Sequence, residues 1–340
     1  MKITINYYTR MKKYLLIAAT ACLALAACTK NEVRPVSTDQ EITFKTVGTK
    51  AAEAYGTGNT FRTWAYLHKD AHATGVTNQL YLGGNDGLVI SYVGTEWKNA
   101  TAKYYWPKNG EKLSFYSYAL NSSTDTLTAG TVSCSFENGV QVSGYDIEQN
   151  HDVDFLVADV AKDKTSNKNT YGHSGVPTLF RHKLSNVAFT IQAAETYANK
   201  TFTLKSITLK GVTKTADYIQ APFATEAWNG HTTTDIAFCN TDVPFSNSVV
   251  TPTANQSYYI PQTLLADQKV VIIYEIKTNN GTDTPAVETV PVEKKLNELF
   301  PNSWEMGKKY SCAITVSLDE ILWDPAVEPW EVGTSTSQTI

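Results

Sequence analysis

Hydrophobic and polar residues alternate along most of this chain. Val187, Phe189 and Ile191 keep strict period two in SNVAFTIQA (185–193). Phe202 and Leu204, then Ile207 and Leu209, repeat it in TFTLKSITLKGV (201–212). One apolar face per segment is the signature of a half-buried strand. The same reading covers EITFKT (41–46), FRTWAYLH (61–68), LVISYVG (88–94), KLSFYSYAL (112–120), TVSCSFE (131–137), DFLVADV (154–160), KVVIIYEIK (269–277) and KKYSCAITVSL (308–318). Turn formers separate them: Gly83-Gly84-Asn85-Asp86-Gly87, Lys108-Asn109-Gly110, Glu137-Asn138-Gly139 and Asn279-Asn280-Gly281. Only EKKLNELF (293–300) carries a short helical pattern. Many short strands joined by turns predict an all-β protein of antiparallel sandwiches.

The start of the chain departs from this pattern. Lys12 and Lys13 precede an apolar run from Tyr14 to Leu25, and Leu25-Ala26-Ala27 leads into Cys28. A basic start, an apolar middle and small residues at the cut form a secretory signal peptide. The run of about a dozen residues is too short for the ~20 that span a bilayer. Its ending resembles a bacterial lipobox, which implies acylation of Cys28 and cleavage just before it. Several acyl chains at about 0.8 kcal/mol per buried methylene make a stable anchor. Residues 1–10 precede this unit, and Met11 is the expected start. The chain is therefore read as a signal peptide (1–27) and a lipidated polar tether (28–40), followed by folded protein.

About 310 mature residues suggest two domains. The polar stretch KDKTSNKNTYGHSG (162–175) places their boundary near 178, giving sandwiches over 41–178 and 179–340. Removing the signal leaves 25 basic against 33 acidic side chains, so nucleic acid is not an expected partner. Cys134, Cys239 and Cys312 remain, with no metal-ligand spacing. They read as buried small hydrophobes, or as one disulfide and a free thiol.

No catalytic or metal motif emerges, and no cofactor or enzyme activity is expected. The six histidines make neither HExxH nor a zinc-deaminase spacing. His151-Asp152-Val153-Asp154 reads better as a strand-entry turn than as a cation site, which would draw six to eight oxygens. Gly172-His173-Ser174-Gly175 sits among turn residues and is not GxSxG. Arg181-His182-Lys183 reads as a solvated strand end. Trp64, Trp97, Tyr104, Tyr105, Trp106, Tyr116 and Tyr118 suit core or rim packing better than a sugar-stacking platform.

Several segments, in order, resemble the fimbrillin family, the subunits of type V pili of Bacteroidetes-type bacteria. They are Ile42-Thr43-Phe44, Thr49-Lys50-Ala51, Tyr105-Trp106-Pro107, Leu113 to Tyr118, Asp154 to Ala158, Phe180 to Val187, Ile260-Pro261-Gln262, Trp304, Gly307 to Tyr310, and Trp323 to Trp330. The resemblance implies two tandem transthyretin-like β-sandwich domains with Greek-key-type connections. It also implies an outer-membrane lipoprotein at the cell surface, bound to lipid through Cys28, that becomes part of a fimbrium. In such subunits a trypsin-like protease removes the first strand, and a neighbour's C-terminal strand fills the groove. Lys50 stands at the cleavage position, where the family usually has arginine. Ile42 and Phe44 are the expected first-strand plug. In the tail 319–340, Ile321, Trp323, Val327, Trp330 and Val332 either arm a donor strand or complete the second sandwich. The expected role is a structural or accessory pilus subunit that mediates adhesion, with other pilus subunits as partners. The alternative is a lipid-anchored adhesin that binds host glycan or protein without polymerising.

Overall fold

The computed structural model describes residues 36–46, 55–108, 110–120, 126–151, 153–166, 175–281, 284–300 and 303–330. Among these the regular structure is almost entirely strand, and its one helix is the single turn Leu296–Leu299. The helical pattern at 293–300 survives only as that turn, because Ala286–Lys295 extends as a strand up to it. No described helix is long and apolar enough to cross a membrane.

The first sheet has ten strands. Its main path runs Val176–Thr178, Phe44–Thr46, Glu96–Lys98, Leu88–Val93, Thr60–His68, Lys112–Leu120, Phe155–Ala158 and Phe180–His182. Both faces are covered, which explains the near-continuous apolar runs of its central strands. Phe61, Ala65, Leu113, Phe115, Ala119, Leu156 and Ala158 face one cluster, with Phe44, Tyr55, Trp97, Trp106 and Phe180. The alternate positions Trp64, Tyr66, Tyr116, Tyr118, Phe155 and Val157 face the main core. The aromatics weighed as a sugar platform are mostly interior: Trp64, Trp97, Trp106, Tyr116 and Tyr118 are all buried.

Lys200–Ile219 is the spine of the molecule. Its first half pairs with Lys269–Thr278, which in turn pairs with the edge strand Ala286–Lys295. Its second half receives Gly139–Asp146, which hairpins with Thr131–Ser135. Ala227–Cys239 runs along the other side. The alternation recognised up to residue 212 thus continues to Ile219, with register shifts absorbing the break. A boundary near 178 puts the 131–146 hairpin in the first unit, yet its ladder lies on a strand from the second. The change from the first sheet to the next follows His182, since Ser185–Ala193 opens a four-stranded sheet with Tyr258–Tyr259, Lys308–Val316 and Ile321–Pro329.

The ladders are antiparallel, as expected, with two exceptions. Val176–Thr178 lies parallel to Phe44–Thr46, and Ser185–Ala193 lies parallel to Lys308–Val316. In each case the partners are joined through a long intervening stretch of chain, as parallel pairing requires. The three cysteines are free; Cys239 and Cys312 are buried and Cys134 partly so. Burial pushes the Cys312 thiol up to about 12.

Candidate assembly surfaces at the first strand and the C-terminal strand

Ile42 and Phe44 are 3% and 4% exposed. Phe44 meets Phe61 and Phe115 edge-on, both with centroids 5.6 Å away. Its backbone is held from two sides. Phe44 stands opposite Trp97 in an antiparallel pair, while Val176 flanks it in a parallel one. Ile42 N–H donates to Tyr104 O at 2.7 Å, and Val176 N–H donates to Thr43 O at 2.7 Å. Gly175 makes this approach possible. It sits at φ +89°, and a Cβ there would lie 2.7 Å from the Phe44 carbonyl carbon. Upstream, Val36–Glu41 is a separate strand paired with Tyr105–Pro107, so the strand expected over 41–46 is broken at Ile42 and Thr43; the name first strand is kept for the stretch 42–46. The first strand therefore fills an interior slot, and Val176–Thr178 has no other ladder partner among the described strands. Cys28 and Lys50 lie outside the described residues.

The C-terminal strand Ile321–Pro329 pairs antiparallel with Lys308–Val316 in unbroken register, Val316 opposite Ile321 and Lys308 opposite Pro329. It is an edge strand and mostly exposed: Leu322 is 56% and Val327 45% accessible. Ile321, Trp323 and Trp330 rest partly buried on the main core. Pro325 and Pro329 fall at alternate positions, where a missing N–H is tolerated only if it faces away from the ladder. Trp330 ends the strand. Its N–H donates to Gly307 O at 2.8 Å, and its ring stacks on His182 (3.7 Å, 14° between planes) and on Tyr258 (5.4 Å, 9°). Val332 lies outside the described residues.

Sequence reasoning missed what lies beneath Trp330. His182 Nδ1 is 2.7 Å from Asp154 Oδ2, and both side chains are buried. Lys183, also buried, places Nζ 2.7 Å from Glu226 Oε1, and Tyr218 OH donates to the same carboxylate oxygen. Trp228 Nε1–H donates to Lys183 O at 2.8 Å. Only Arg181 behaves as a solvated strand end, paired in bidentate fashion with exposed Asp159. His182 and Lys183 correct that reading, because the chain turns from one sheet to the next across them. Val153 and Asp154 lead directly into Phe155–Ala158, Asp152 lies outside the described residues, and no cluster that could hold a metal ion occurs among the described ones. The local sequence carries no sign of the Asp154–His182 or His182–Trp330 contacts, which join distant stretches.

Comparison with known proteins agrees with this architecture. The chain resembles a fimbrial protein from Bacteroides vulgatus ATCC 8482, with a TM-score of 0.63 at 15% identity, over 85% of this chain and 99% of that one. It also resembles a protein of Bacteroides uniformis ATCC 8492 described as a cell adhesion protein, with a TM-score of 0.53 at 17% identity, over 85% and 99% of the two chains. At these identities the likeness concerns the fold. No curated protein sequence matches significantly. The fimbrillin-like family model matches residues 49–330, which take in nearly all of the folded region described above. The chain belongs to the fimbrillin-like family, whose members are structural rather than enzymatic proteins.

Proposed function

We propose that this chain is a structural or accessory subunit of a cell-surface fimbria. It is exported as an outer-membrane lipoprotein anchored through Cys28, joins other subunits by strand exchange, and contributes to adhesion. The observation that carries the reading is the seat of the first strand. Phe44–Thr46 lies between two strands and plugs an aromatic pocket, so its loss would leave unpaired N–H and C=O groups on both sides. An edge of that kind accepts a strand by β-augmentation. The tail offers a matching strand. Glu320-Ile321-Leu322-Trp323 repeats the arrangement of Glu41-Ile42-Thr43-Phe44, an isoleucine and an aromatic two residues apart behind a glutamate. Ile321 and Trp323 of one copy would then occupy the pockets of Ile42 and Phe44 in the next.

One feature favours the second reading, a lipid-anchored adhesin that binds glycan or host protein and does not polymerise. The tail strand is fully laddered to its own chain. Limited trypsin treatment of the mature protein, followed by electrophoresis without boiling, separates the two. Strand exchange predicts cleavage near Lys50 and a ladder of oligomers, lost when Ile321 and Trp323 are both replaced by Asp. A charge pressed against an apolar pocket costs several kcal/mol. Cleavage at Lys50 without oligomers would leave the adhesin reading.

A further inference from the structure

The first strand and the C-terminal strand are tied together by one short stretch of chain. Residues 175–182 begin at the plug: Gly175 packs on the Phe44 carbonyl, and Val176–Thr178 ladders only with Phe44–Thr46 among the described strands. Leu179 follows directly, and then Phe180, whose ring stands 5.4 Å from Phe61 and 5.0 Å from Tyr55 in the plug's own cluster. Two residues later, on the same buried face of the same strand, His182 carries Trp330. The far end of the tail is therefore clamped by a segment whose near end is held by the first strand.

We infer that residues 175–182 are a latch through which the seated first strand keeps the C-terminal strand docked in its own sheet, so that unseating one loosens the other. The tail is suited to such control. Most of its side chains are exposed, and its hold rests on the ladder and on Ile321, Trp323 and Trp330. Phe180–His182 keeps its ladder with Phe155–Ala158 after the plug is gone, so the link is partial. Its expected strength is at the low end of ordinary coupling between sites, about fivefold. The inference takes its purpose from the strand-exchange reading, because removal of the first strand would then open a groove and free a donor in the same molecule. The link itself is a property of the monomer.

Hydrogen exchange of the full-length monomer tests it without polymer formation. Gly175→Ala forces a Cβ onto the Phe44 backbone and unseats the first strand without touching Trp330. Phe44→Ala does so from the core side. Both should speed exchange in residues 321–330 about fivefold or more, along with residues 42–46. Because equilibrium coupling is reciprocal, Trp330→Ala should speed exchange in 42–46 by a similar factor. Two results would overturn the latch: opening of 42–46 with the tail still protected, or release of the tail by Trp330→Ala with 42–46 unmoved. Either could occur whether or not trypsin yields oligomers, so the latch and strand exchange can fail separately.

Discussion

Phe44→Ala tests the plug energetically. Phe44 is buried, with two edge-on aromatic partners and Trp97 opposite it in the ladder. Truncating a buried phenylalanine to alanine costs about 3–5 kcal/mol, the lost transfer free energy plus the cavity left behind. The upper half of that range is expected here, because the surrounding rings of Phe61, Phe115 and Trp97 are themselves fixed in the cluster and cannot collapse into the gap. With a urea m-value of about 3 kcal/mol/M, the midpoint for unfolding of the first sheet should fall by about 1.3–1.7 M. Tryptophan fluorescence is the assay, since Trp97 and Trp106 report on this cluster. Lys45→Ala, on the exposed face of the same strand, is the control and should stay within about 0.5 kcal/mol. If Phe44→Ala shifts the midpoint no more than Lys45→Ala, the first strand is not an energetic plug and the argument for a groove fails.

Other expectations follow from charge and chemistry. Replacing Cys28 with Ala should abolish fatty-acid labelling and leave precursor of unprocessed size, and detergent partitioning at the mature size would contradict the anchor. Burial, helped by nearby Lys162 and His68, lowers His72 from 6.5 to about 4, and its buried Nδ1 has no partner. The unfolded chain therefore takes up this proton first. Stability conferred by neutral His72 should be lost as pH falls from about 6.5 to about 4, and a urea series over that range should be flatter in His72→Gln. Glu226→Ala strands the buried ammonium of Lys183. It should cost about 2 kcal/mol or more, below the ~3–5 of a fully buried pair because Glu226 is partly exposed, and Lys183→Met added to it should recover most of the loss by the same urea midpoint.

Legibility in the sequence followed burial. Ser185–Ala193 and Lys112–Leu120 have the bounds that pattern alone assigns, because the first has one buried face and the second has two. Ala227–Cys239 and Ala286–Lys295 gave no such pattern. The first carries the exposed run Asn229 to Thr233, and the second is an edge whose residues are mainly solvated. Gly139–Asp146 was hidden by Gly144 at positive φ and by the register shift between Val142 and Tyr145. At the candidate site, alternation alone revealed Ile42 and Phe44 as inward-facing. The clamp on the tail was invisible, since Asp154, His182, Tyr258 and Trp330 meet only after two sheets have formed, and no local periodicity encodes a stack between distant rings.

The prolines of the C-terminal strand bear on life at a crowded surface. Where copies of a protein meet at high local concentration, open sheet edges fuse sideways into aggregates. Along the outer rim of Ile321–Pro329, every second residue should offer an N–H, but Pro325 and Pro329 cannot. Two such rims meeting would forfeit bonds at both places, while the inner rim stays intact for one well-matched partner strand. The strand thus has a bonding side and a mute side. A strand so made can hold one ladder without offering a second.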